Sequence, residues 1–224
     1  MDIKDNKQTG KPHITASGLM RGTGVFAILA GLLYIAIQFI HPAEELSAVR
    51  TAPWVMVAAL SMLMSLFFLI GLTGIYVKQA QEAGWLGVAG YLIFSLFWLA
   101  STAFSFVEVF VLPLLATDAP LFVEGFLGIF GGGSSEADLG ALPALAPIAG
   151  GLYLLGGLLL GIATFRSGVL PRAAGALLAF GAVVTLAAAV IPHPLDRILA
   201  IPMGLALIWL GYVLSSGRER SAGV

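Results

Sequence analysis

No cysteine occurs among the 224 residues, and that absence removes disulfides, thiolate metal sites, thioether haem attachment and cysteine nucleophiles together. Charge is nearly as scarce: 10% of the chain is Asp, Glu, Lys or Arg, where soluble domains carry roughly one-quarter. The net charge is -1 and the basic residues are too scattered to track a phosphate backbone, which excludes nucleic acid as a partner. No lysine lies within a long apolar run, so a retinal-type Schiff base is excluded. No acid, arginine or histidine sits near the middle of one, which argues against a membrane-embedded proton relay. A phosphate-binding loop is missing too, because Gly131-Gly132-Gly133 leads into Ser134-Ser135-Glu136 and not into a lysine. No catalytic residue is assigned, and the reading leans away from an enzyme.

What is present is oil. The chain is 59% hydrophobic with a mean hydropathy of +0.99. Its apolar runs fall at 22–40, 52–76, 85–116, 144–165, 173–192 and 198–215, near or above the ~20 residues that carry a helix across a ~30 Å hydrocarbon core. These runs predict an all-α integral membrane bundle of six transmembrane helices over 22–215, between an N-terminal segment 1–21 and a tail 216–224. Lys4, Lys7, Lys11 and Arg21 before the first run resemble the start of a signal peptide. The run is followed by His41-Pro42-Ala43-Glu44-Glu45 and not by a small-x-small cleavage site, so it reads as an uncleaved span. Trp54, Trp85, Trp209 and Tyr212 fall toward run ends, where amphipathic rings favour headgroups.

Orientation follows from the tendency of Lys and Arg in short loops to stay in the cytoplasm. With both ends inside, Lys4, Lys7, Lys11, Arg21, Lys78, Arg166, Arg172, Arg218 and Arg220 are cytoplasmic and only Arg50 and Arg197 lie outside. Glu44, Glu45, Asp118, Glu124, Glu136, Asp138 and Asp196 then make the outer face acidic. The expected location is a bacterial-type cytoplasmic (inner) membrane, multi-pass. In the longest connection, Phe122, Phe126 and Phe130 share one helical face in a stretch too short to span. This predicts one short outer interfacial helix, as a cover or as a lid over a cavity. Gly157 and Gly161, four apart, and Gly84, Gly87 and Gly90 suit close helix packing inside the molecule, with a homo-oligomer face on the fourth span as the alternative. A weak parallel repeat relates Arg21-Gly-Thr-Gly24 through His41-Pro42 to Arg172-Ala-Ala-Gly175 through His193-Pro194.

The hairpin Gly161-Ile-Ala-Thr-Phe-Arg166-Ser-Gly168-Val-Leu-Pro171-Arg172-Ala-Ala-Gly175 resembles a pattern in uncharacterised bacterial multi-span integral membrane proteins of unknown-function families. The resemblance covers 15 residues and implies a bacterial cytoplasmic membrane protein. It transfers no activity and no site residue.

Two constellations are candidate sites. Glu108 shares a helical face with Trp98, Ser101 and Ser105 and lies about 34 Å along an untilted helix from Trp85. It either pairs with Arg197 or Arg50 at the outer edge or faces a ligand. His41 and His193 fall at outer helix ends, with Glu44, Glu45, Glu108 and Asp196 near in depth, a set that suits a divalent metal or, through two imidazoles, haem iron. Against this, both histidines precede Pro-x-acid, and proline with an early acid is the way a helix starts. Gln38, Ser61, Ser65, Thr102, Thr164 and Thr185 read as interhelical hydrogen-bonding groups, and His13 as solvated. Three functions fit. The first is an accessory or structural membrane protein whose partners are the lipid bilayer and a homo-oligomer or membrane-protein partner. The others are a binder or passive carrier of a small apolar or lipid-like ligand, and an outer-face metal- or haem-binding protein using His41, His193 and Glu108.

Overall fold

The computed structural model describes residues 15–131, 137–191 and 195–217. His193, with Pro192 and Pro194, lies outside the described residues, as do Lys4, Lys7, Lys11, His13, Glu136, Arg218 and Arg220. Every regular element among the described residues is helical. Helix α1 (Ala16–Ile40) begins earlier than the apolar run does, because Thr15 caps it: its hydroxyl accepts from the Gly18 amide at 3.0 Å.

Helix α2 (Ala52–Phe110) is 59 residues long, with a proline in its first turn. A straight helix of that length would measure roughly 90 Å. It is broken at Gly84, whose φ of 56° and ψ of -160° no residue with a Cβ takes readily. The two arms, 52–83 and 85–110, run back along each other. Trp54 reaches Glu108, Ser65 bonds Ser101, Phe68 stacks on Trp98 and Thr73 bonds Tyr91, each pair centred between residues 81 and 83. The hairpin keeps the separation between the runs 52–76 and 85–116, although its first arm is about two turns longer than the run 52–76.

Short helices α3 (Leu112–Leu115) and α4 (Pro120–Gly131) follow, then α5 (Leu145–Ser167), α6 (Arg172–Val184) and α7 (Ile201–Ser216). Helix α6 stops short of the expected 192. The Thr185 hydroxyl donates to the Ala182 carbonyl at 2.7 Å, and the chain tightens into a 3-10 turn over Thr185–Ala189. A second such turn, Leu195–Ala200, leads into α7. Among the described residues four stretches are long and apolar enough to cross a membrane: Ala16–Ile40, Ala52–Leu115, Leu142–Ser167 and Leu195–Ser216. The second is the folded hairpin, and the apolar stretch Arg172–Ala188 falls below that length.

Helix α1, the two arms of α2, then α5, α6 and α7 close into a ring in chain order, α7 returning to α1. Small residues bring backbones close at every seam but that between the two arms of α2. A Cβ on Gly31 would strike the Gly204 carbonyl of α7. One on Gly71 would meet Ala27 of α1 at 2.8 Å, one on Gly156 the Phe94 backbone at 2.5 Å, one on Gly161 Ala179 of α6 at 2.5 Å, and one on Gly181 Met203 of α7 at 2.7 Å. Gly157 faces Ala182. The pair Gly157 and Gly161 therefore packs within the molecule, as its spacing suggests. The sequence repeat is only partly matched: Gly24 and Gly175 both face the preceding helix of the ring, but Gly31 faces the preceding helix and Gly181 the following one.

Inside the ring, aromatic rings replace any open channel at mid-height. Phe68 and Trp98 stack with centroids 3.5 Å apart, and Tyr34, Phe94, Phe97 and Tyr153 meet them edge-on. Charge separates along the bundle. The start of α1, Gly84, the α5–α6 connection and the end of α7 share one end, with Arg21, Lys78, Arg166 and Arg172 against Glu82. The other end holds 41–51, 111–119 and 195–200, with Glu44, Glu45, Glu108, Asp118 and Asp196 against Arg50 and Arg197.

Candidate functional site

Two facing stripes at helical spacing build a crevice in the acidic half. Phe97, Ala100, Ser101 and Phe104 come from the second arm of α2; Leu145, Ile148, Ala149 and Leu152 come from α5. Each set follows the i, i+3, i+4, i+7 pattern of one helix face. Small residues on both faces, Ala100 and Ala149, leave space between the larger side chains, a cavity of about 260 Å³. Phe130, at the end of α4, lines it too. The predicted aromatic face of α4 packs on Phe104, with Phe126 stacked at 4.5 Å and Phe130 edge-on at 4.7 Å. The short helix is thus both a cover for the second arm and a wall of the crevice.

A second cavity, about 510 Å³, adjoins the first and shares Phe97, Phe130 and Ala149 with it. It runs around α5 past Gly150 and Gly151, where an added Cβ would meet nothing within 4 Å, to Thr185 and Leu186. Tyr34 and Tyr153 also line it, their hydroxyls 3.1 Å apart. Among the described residues no charged residue lines either cavity. Their hydroxyls are already engaged: Ser101 with Ser65 at 2.9 Å, and Thr185 with the Ala182 carbonyl. The walls are therefore apolar and aromatic, the lining of sites that take uncharged, hydrophobic molecules.

The sequence-derived ligand set divides. Ser101 lines the crevice. Trp98 and Ser105 are buried, Trp98 in the aromatic core with an indole N–H that has no partner among the described residues. Glu108 lines neither cavity. Ser105 hydrogen-bonds to it, and its main-chain carbonyl accepts from the Trp54 indole at 3.2 Å. It is not paired with arginine, since Arg50 donates to Thr117 and Arg197 to the Gln38 and His41 carbonyls. Those last two bonds give the carboxyl end of α1 a cationic cap.

Of the metal set, His41 turns Nδ1 toward the Pro42 carbonyl at 2.8 Å and its ring edge toward Trp54. Glu45 accepts from Ser47 at 3.4 Å. Asp196 sits in the first turn of the 3-10 segment, and His193 lies outside the described residues. Among the described residues no group of three or more His, Asp or Glu side chains is placed to hold a metal ion. The helix-start reading also needs correction at its first site. Residues 42–51 are non-helical, with turns over 46–50, and α2 starts only after Thr51 with its own proline, because Pro42 directly follows the carboxyl cap of α1.

Comparison of the chain with family models, with curated proteins and with solved structures returns no match. Its site is read from its own geometry.

Sequence reasoning missed four residues. Phe97 and Tyr153 belong to uniformly apolar runs, where a ring that lines a cavity looks like one that fills a core. Tyr34 does likewise. Gln79 lies past the end of the run 52–76, yet it is fully buried, donating to Thr164 at 2.8 Å and accepting from Ser167 at 2.9 Å. A polar residue four places beyond Ile75 on the same inward face was the available signal.

Proposed function

We propose that the chain is a six-span protein of a bacterial-type cytoplasmic membrane, both ends cytoplasmic, that binds an uncharged, lipid-like ligand in the crevice around α5. Composition, the hairpin fold of α2 and the length of the apolar helices support the membrane reading, with the basic end taken as cytoplasmic. The 3-10 turn extends α6 toward the other surface, since it rises about 2.0 Å per residue against 1.5 Å in an α-helix. One observation carries the binding reading over the accessory or structural one: two adjoining cavities with no charged wall among the described residues share Phe97, Phe130 and Ala149. A metal or haem reading would rest on His193 joining His41, and the described cluster around His41 is occupied by Trp54 and Arg197.

Mass spectrometry of molecules retained by protein purified in mild detergent tests this. One apolar species is expected at about tenfold over its share of the source membrane, a preference of ~1.4 kcal/mol. Gly150→Leu adds a side chain to the wall of the second cavity at a position where the Cβ meets nothing within 4 Å, so it is expected to lose that enrichment and keep its fold. Glu108→Gln is expected to keep both. Retention of bulk lipid in bulk proportion, or equal retention by Gly150→Leu, would reject the site.

A further inference from the structure

At the opposite end of the bundle lies a cavity of about 680 Å³ that the crevice does not involve. Its polar rim is Ser17, Arg21 and Lys78; its walls include Met20, Val213 and Leu214. No acid lines it. The only acid placed at this end among the described residues, Glu82, stands one turn beyond Lys78 on an exposed surface. Arg21 lies against the end of α7, which finishes at Gly217 with a φ of 60°, where a Cβ would meet the Arg21 Nη2 at 3.0 Å. The guanidinium lies across the end of α7, and Lys78 completes a pair of cations over an apolar floor. Ser17 adds a hydroxyl in the first turn of α1, whose dipole favours negative charge.

We infer that this cavity seats the headgroup of an anionic phospholipid, its phosphate on Arg21 and Lys78 and its chains descending along the Met20, Val213 and Leu214 wall. The inference rests on the membrane reading above and is independent of the crevice. Basic pockets between helices at the cytoplasmic surface are where such headgroups are recognised. The apolar wall directly beneath the cations distinguishes an amphiphile from a free phosphate ion, which would gain nothing from it. Arginine supplies a planar fork for two phosphate oxygens, and lysine a mobile point charge.

Detergent-purified full-length protein is titrated with phosphatidylglycerol, with phosphatidylcholine or with inorganic phosphate. Thermal unfolding is followed by tryptophan fluorescence, and bound lipids are counted by native mass spectrometry. Phosphatidylglycerol is expected to raise the unfolding midpoint and appear as a bound adduct, phosphatidylcholine to do neither, and inorganic phosphate not to reproduce the shift. Each cation removed, in Arg21→Gln or Lys78→Gln, is expected to weaken phosphatidylglycerol binding about fivefold, and the double variant to lose the preference. Arg50→Gln, at the far end, is expected to keep it. Lys78→Gln alone remains informative if loss of the Arg21 contact with the end of α7 impairs folding. Equal shifts with both lipids, an unchanged response in Lys78→Gln, or a full shift with inorganic phosphate would overturn the inference. A chain that disperses without detergent would instead overturn the membrane reading beneath it.

Discussion

Gly31→Leu is expected to yield little or no folded protein in detergent, the largest effect of any substitution on the seams. The Cβ alone would strike the Gly204 carbonyl, and Ile208 closes the space beyond it. Both obstacles belong to α7, and α7 on α1 is the contact that closes the ring. Overpacking a core costs about 1–3 kcal/mol when side chains can shift. Here the obstacle is backbone, so helix must move from helix and the whole seam opens, Gly24 against Gly211 included. Where lipid surrounds the bundle, no water-driven term recovers what that contact loses. Gly22→Ala is the matched control: nothing lies within 4 Å of its Cβ, and a change of no more than ~0.5 kcal/mol is expected. Unfolding midpoints and the monodisperse fraction read both. A normal midpoint for Gly31→Leu would show that α1 and α7 are not in backbone contact.

Trp98→Ala is expected to cost about 3–5 kcal/mol, as deletions of large buried aromatics do. The indole is the hub of the aromatic core, stacked on Phe68 and met edge-on by Tyr34, Phe94, Phe97 and Tyr153. Its removal would empty the middle of the ring. Trp98→Phe separates packing from hydrogen bonding. Nε1 has no partner among the described residues, so phenylalanine forfeits volume and little else, and a cost of ~1 kcal/mol is expected. Equal losses in the two variants would mean that the N–H is bonded in the working protein, in which case the cavity beside Phe97 is the place to look for the partner.

Much of the architecture was legible because a long apolar run marks a long apolar helix whichever of its residues is read. The six apolar runs correspond to α1, the two arms of α2, α5, α6 and α7, and the aromatic triplet of the 117–142 connection forms α4. Boundaries were less legible, since local bonds and not hydropathy set them. Thr15 draws α1 back to Ala16, Gly84 alone divides 59 helical residues, and the Thr185 hydroxyl ends α6 early. The site was the least legible part. Ionisable residues attract attention in an apolar sequence, and Glu108 and His41 did so, but the crevice is made from what alanine and glycine leave out. Ala100, Ala149, Gly150 and Gly151 look like packing residues one at a time. Only the pairing of the second arm with α5 shows that their faces meet around a void.

The absence of cysteine permits a direct test of six spans with a common side for both ends, because a single introduced thiol has no background. Ser47, Glu82 and Ser216 are exposed, at the acidic end, at the bend between the α2 arms and at the end of α7. In intact cells a membrane-impermeant maleimide is expected to label Ser47→Cys, and to label Glu82→Cys and Ser216→Cys only after lysis. External labelling of Glu82→Cys or Ser216→Cys, or protection of Ser47→Cys, would contradict the arrangement.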